Sequence, residues 1–327
     1  MSKIALIAAI SVCLAGSVVF AADPVPAAAV DPLADNIAKL SDKDVSVRRH
    51  AAMQLGSMQN AAAVKPLKEA LKDKDPYVRS SAAESLGLIR SQEATQSLVD
   101  LLQSDANSNV RQSCAVALNY IGDPAAIPAL IAAMKDKDDG TRFAASNALG
   151  SMRAKEAIPA MMEGLADKNI NMRRSSLNAL GKMEDLSTLP AIRNAMKDSD
   201  MDVKAEAIMI AGNLNDKESE PIFTEELKSP NAKVSAAAAN SLSKIGSKAG
   251  LTASLKAVNS SDSLIKMMAI DTLGNIGGAE AVAAIKKAQA DPDRGVQQAA
   301  RIALKKFETA EKKSQMPASQ KKPAKKK

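Results

Sequence analysis

Apolar positions fall into a repeating frame along this chain. Val47, Ala51, Leu55 and Met58 lie four, four and three residues apart, the spacing of one helical face. The frame returns from Val78, Val110, Thr141, Met172, Val203, Val234, Ile265 and Val296, at intervals of 31, 32 and then 31 residues. A second stripe follows each frame, opening at Val64, Thr95, Ile127, Ile158 or Leu189 and closing at Leu71, Leu102, Met134, Leu165 or Met196. Pro66, Pro128, Pro159, Pro190 and Pro221 stand near the start of these second stripes, where a missing N–H costs little. Each unit therefore predicts two antiparallel helices joined by short linkers. Acidic turns such as Ser41-Asp42-Lys43-Asp44 precede the first helices and supply caps for free backbone N–H groups.

A hairpin of this kind cannot bury both of its apolar faces alone. Stacking on neighbours creates a shared core, expected here as one elongated seam supported mainly between adjacent layers. The prediction is an all-α solenoid of about nine hairpins over residues 32–307. Pro32 to Leu40 forms a lone starting helix in it, and Val296 to Phe307 a first helix without a partner.

Composition supports helices over sheets. The chain of 327 residues is 46% hydrophobic but only 2% aromatic, without Trp, so Ala, Leu, Ile and Met must do the packing. Residues 1–22 read as a secretory signal peptide: Lys3, an apolar run from Ile4 to Phe20, and small residues before Asp23. The expected location is exported, periplasmic or secreted, with an uncleaved anchor as the alternative. Residues 23–31 form a leader. Cleavage removes Cys13 and leaves Cys114 as a lone thiol without an internal disulfide. Residues 308–327 are expected to be a disordered Lys-rich tail. Seven lysines from Lys312 to Lys327 account for the whole net charge of +7, so the repeats are nearly neutral. That balance argues against a broad nucleic-acid-binding surface.

The phrases Asp73-Lys74-Asp75-Pro76-Tyr77-Val78-Arg79-Ser80-Ser81-Ala82-Ala83-Glu84-Ser85-Leu86-Gly87 and Glu156-Ala157-Ile158-Pro159-Ala160-Met161 resemble the short HEAT-like repeats first noted in phycobilin lyases. The resemblance spans Pro32 to Phe307. It implies a right-handed superhelix with first helices on the convex face and second helices on the concave face. It also implies an Asp/Arg ladder between repeats, through Arg48, Arg79, Arg111, Arg142, Arg173, Lys204 and Lys266. The acids would be Asp42, Asp73, Asp105, Asp136, Asp167, Asp198 and Asp291. Ser235 and Gln297 break the cationic column, and Ser229 and Ser260 the acidic one.

Catalytic chemistry finds little support. A single histidine, His50, excludes a two-His metal pair, and no Cys cluster replaces it. The His-Glu pairs that hold iron in deoxyhypusine hydroxylases are therefore missing. Cys114 occupies a slot filled by Ala or Ser in the other repeats, so a buried packing role explains it. The 15 methionines raise copper, but Met134, Met152, Met183 and Met196 lie in core columns, and Met161-Met162 and Met267-Met268 at packing positions. Bilin handling rests on fold analogy alone. No enzyme activity and no cofactor are expected.

A binding role is the remaining expectation: an exported scaffold that takes a protein partner on the outward column of its second helices. Glu69, Asp100, Glu163, Asn194, Glu225, Lys256 and Lys287 occupy that column, acidic at first and basic at the end. Lys321, Lys322, Lys325, Lys326 and Lys327 are a second candidate, for an anionic polymer or lipid surface. The alternative class is an enzyme or cofactor-handling protein of the bilin lyase type.

Overall fold

The computed structural model describes residues 31–315, with side chains to Phe307. The expected signal peptide, most of the leader and the lysines from Lys321 onward lie outside the described residues. The described residues are helices and turns. After α1 (Pro32–Lys39) come paired helices: α2 (Val45–Ser57) with α3 (Val64–Ala70), α4 (Pro76–Ile89) with α5 (Thr95–Ser104), α6 (Ser108–Ile121) with α7 (Ile127–Ala133), and α8 (Asp139–Ser151) with α9 (Ile158–Gly164). The series continues with α10 (Ile170–Met183) and α11 (Leu189–Ala195), α12 (Met201–Asn213) and α13 (Glu220–Glu226), α14 (Ala232–Lys244) and α15 (Leu251–Ala257), then α16 (Ser263–Ile276) and α17 (Ala279–Ala288). A final first helix, α18 (Arg294–Gln315), runs past the Phe307 at which the expected solenoid ended.

The turn chemistry follows the sequence. Asp44, Asp75, Asn107, Asp138, Asn169, Asp200, Asn231 and Asp262 each cap a first helix by accepting from a backbone N–H of its first turn. Where the residue two positions earlier is an acid it accepts from the cap's own N–H, as Asp73 does from Asp75 at 2.9 Å. Beyond the first helices the chain turns through a left-handed residue. Gly122 and Gly246 adopt it freely, whereas Gln59, Arg90, Arg153, Glu184 and Asn215 hold positive φ with a side chain present.

Stacking is carried by the first helices. A Cβ added to Gly87 would lie 2.7 Å from the Ala117 backbone, and one on Gly56 would lie within 2.7 Å of Ser85. Gly150 meets Ala179 and Gly212 meets Ser241 in the same way, so small residues let neighbouring helices approach. Ser85 and Ser241 donate their hydroxyls across these crossings to the carbonyls of Ala52 and Ile208, both at 2.8 Å.

The core departs from the single seam expected. It divides into three clusters, from Ala52 to Met183, from Leu177 to Leu242, and from Ile270 to Ala303, with Leu165 packed against both of the first two. The reason lies at two crossings. Ile210 replaces the small residue that faces Gly181, and its side chain holds α10 and α12 apart. Between α14 and α16 the apolar contact through Met268 is joined by a polar one: buried Asn240 donates to Asp271 at 3.0 Å and to Thr272 at 3.2 Å.

Candidate partner-binding surfaces

The ladder forms the back of the site and is largely as expected. Arg48 donates from Nε and Nη2 to the two carboxylate oxygens of Asp73, at 2.7 and 2.9 Å. Arg79 grips Asp105, Arg111 grips Asp136 and Arg173 grips Asp198 in the same fork. A third nitrogen of each Arg donates to the carbonyl of its own turn, as Arg48 Nη1 does to Asp42 at 2.9 Å. Hydrogen bonds from Arg48 and Arg111 hold the carboxyls of Asp73 and Asp136 below their usual range. Burial is the largest single influence on the Asp105 and Asp198 carboxyls and pushes them up, but the hydrogen bonds from Arg79 and Arg173, those from the backbone of Asn107 and Asp200, and the arginine charges together outweigh it.

Three rungs differ from the expectation. The Asp42 carboxylate belongs to no rung; it accepts only from the backbone of Asp44. Arg142 turns away from Asp167 to Asp139 in its own first turn, leaving its Nε buried without a partner. Asp139 is the competing group: an acid at the first position of α8, three residues from Arg142. Lys204, whose acidic partner position is Ser229, finds Glu226 instead at 3.1 Å. A further pair the sequence reading missed joins Arg193 to buried Asp216; Arg193 sits in the last turn of α11, outside the repeated frame that signals the others.

The candidate column on the second helices is less acidic in effect than in sequence. Glu69 pairs with Lys72, Glu163 with Lys135 and Glu225 with Lys228, while Asp100 accepts from Gln96. Lys256 and Lys287 have no partner among the described residues. Charge on this column is thus uncompensated at its basic end.

The two layers also differ in spacing. Successive first helices all pack on one another, whereas the shorter second helices approach one another less, α5 with α7 and α15 with α17 the most. Open clefts lie between second helices, such as one of about 440 Å³ lined by Met134, Ala160 and Glu163.

The first-helix layer carries most of the exposed apolar surface. Of eleven large apolar side chains exposed among the described residues, nine are on first helices: Val45, Met53, Tyr77, Leu88, Tyr120, Ile170, Met201, Leu264 and Ile302. Arg49 lies 5.7 Å from the centre of the Tyr77 ring, a cation–π distance. His50 is exposed beside it on the same helix. These residues recur down the repeats, Val45 with Ile170 and Met201, and Leu88 with Tyr120, but at positions outside the core columns that define the frame.

The remaining chemistry is quiet. Cys114 is fully buried, and that burial pushes its thiol up, away from the reactive thiolate. Met134, Met183 and Met196 are buried as expected, but Met162 is exposed, since it follows the buried Met161 around the helix. Among the described residues, no three His, Cys, Asp or Glu gather into a metal-binding group, and no helix is long and apolar enough to cross a membrane.

Comparison with known proteins agrees with the architecture. The Escherichia coli protein YibA has a solved structure with a TM-score of 0.55 and 21% identity, over 82% of this chain and 99% of that one. An engineered protein matches at a TM-score of 0.47 and 22% identity, over 85% and 89% of the two chains. The CpcE and CpcF complex of phycocyanin lyase from Nostoc matches at a TM-score of 0.40 and 21% identity, over 81% and 96%. No curated protein matches the sequence. The model for HEAT repeats matches residues 33–119, 102–181, 158–225, 189–256 and 220–305, nearly the whole described chain, and the chain belongs to that family.

Proposed function

We propose that this protein is an exported, non-catalytic scaffold that holds a protein partner against its first-helix layer. One observation carries the choice of surface: nine of the eleven exposed large apolar side chains stand on that layer. Interface cores favour Tyr, Met and Arg, and Tyr77, Tyr120, Met53 and Arg49 supply them at the N-terminal end. Tyr and Met on a helical face require ordering of side chains but not of backbone when a partner covers them. Export is supported by the sequence pattern of residues 1–22.

Photo-crosslinking decides between the faces. A photoreactive residue at Tyr77, Tyr120 or Met53 is expected to give discrete protein adducts in the native envelope fraction. The same residue at Glu69 or Glu163 is expected to give none. Adducts from the second-helix set alone would move the site back to the column first expected, and none from either set would end the scaffold reading.

A further inference from the structure

The seventh repeat lacks its rung entirely. Ser235 stands where other repeats place Arg or Lys, and Ser229 and Ser260 stand where they place Asp. The shortened side chains bond only locally: Ser235 donates to the Leu227 carbonyl at 2.9 Å and Ser260 accepts from Asp262 N–H at 3.1 Å. A cleft of about 760 Å³ opens there, lined by the turn after α13, by α14 and by α15, and it is larger than the clefts of about 440 and 350 Å³ elsewhere along the second helices.

Its walls are mixed, with apolar surface from Leu227, Ala232, Ala253 and Ile265 beside the hydroxyls of Ser229, Ser235 and Ser260, and Lys256 also lines it. A second cleft of about 350 Å³ follows between α15 and α17, lined by Leu255, Val258 and Ala284 and rimmed by Lys287. Asn259 lines both clefts, so they are neighbours. Asp291 borders the second cleft, but Lys266 holds it at 2.7 Å. The order along the surface is therefore partly apolar cleft, free ammonium, apolar cleft, free ammonium.

We infer that this surface, distinct from the first-helix layer, binds an acidic extended segment of a partner protein. An extended chain presents residues i, i+2, i+4 and i+6 on one face, ~6.6 Å apart. Alternate positions on that face must carry an apolar group, a carboxylate, an apolar group and a carboxylate. Two such carboxylates are ~13 Å apart, within reach of lysines on helices whose axes lie ~10 Å apart, given the length of the Lys stem. The lining residues include no aromatic side chain on which a base would stack, which favours a peptide over a single-stranded nucleic acid.

Fluorescence polarisation with the full chain tests this. The probe is a labelled peptide Leu-Ser-Glu-Ser-Leu-Ser-Glu; the control replaces both Glu with Lys. The acidic probe is expected to bind saturably and the basic one not. Lys256→Glu with Lys287→Glu should weaken binding by roughly tenfold or more. Ser235→Arg with Ser260→Asp rebuilds the rung and leaves both lysines in place; it should also weaken binding while raising the melting temperature. The inference is overturned if the acidic probe fails to bind the wild-type chain, or if binding survives both double variants. Displacement by oligothymidylate at equal concentration would overturn the assignment to a peptide. None of these outcomes depends on the crosslinks from Tyr77 and Tyr120.

Discussion

Arg111 has the most enclosed side chain of the forked arginines, only 5% exposed, and it holds Asp136 through two hydrogen bonds of 2.7 Å. The pair joins the third repeat to the fourth. Asp136 also accepts from the backbone of Asp138, so one carboxylate ties two layers and its own turn. Replacing Arg111 with Ala leaves that carboxylate without its cation in a mostly buried place. The expected loss is ~3 kcal/mol in urea unfolding. A loss within ~0.5 kcal/mol would show that water replaces the guanidinium.

Acid weakens this ladder in a definite direction. The carboxyls of Asp73, Asp105, Asp136 and Asp198 are all held below their usual range in the folded chain. Their contribution is fully present above the unfolded value of ~3.9 and is lost as pH falls through the lower folded values. Melting temperatures should fall steeply below pH ~4. Asp136→Asn should melt lower than the wild type at neutral pH, with the gap closing in acid. A constant gap across the range contradicts the linkage.

Two backbone substitutions should act in opposite directions. Gly87→Ala forces a methyl to within 2.7 Å of the Ala117 backbone, which helix separation must relieve, at a cost of ~1–3 kcal/mol. Arg90→Gly relieves a left-handed residue at φ 57° and should stabilise by ~0.5–1 kcal/mol. Chemical denaturation of the two single variants checks both signs.

Hydrogen exchange should divide the chain where the core divides. The polar contact at Asn240 and Thr272 and the absent rung at Ser235 both isolate the last two repeats. Amides of α16, α17 and α18 are expected to exchange first, and those of α4 and α6 last. Protection highest in α16 to α18 would contradict the assignment.

Reversing the charges of Glu163 and Glu225 tests the second-helix column directly. Both acids already pair with a neighbouring lysine, so the change is expected to leave captured partners unaltered. Loss of a specific partner in quantitative affinity capture would return the site to that column.

The fold was legible because its signal is periodic. Val47, Ala51 and Leu55 recur in register, and the acidic turns locate the caps and most of the ladder. The missed features are those a frame cannot carry. Arg142 is in register yet pairs with Asp139, because a neighbour three residues away competes with one in the next repeat. The break in the core depends on the volume of one side chain, Ile210, against one glycine. The column of Glu69 and Glu163 stands out when the repeats are compared, whereas its pairing with Lys72 and Lys135 is seen only in the structure.

The small-residue crossings have one more implication, for how such a chain changes length. Gly56 against Ser85, Gly87 against Ala117 and Gly150 against Ala179 present nearly interchangeable mating surfaces. Excising one unit of 31 or 32 residues between two of them would bring together faces that still fit. The junction of Gly181 with Ile210 has no equivalent elsewhere, so a cut there would leave ends that mismatch. Duplication and deletion can thus tune the reach of the array on either side of that joint, while the joint itself must be inherited whole.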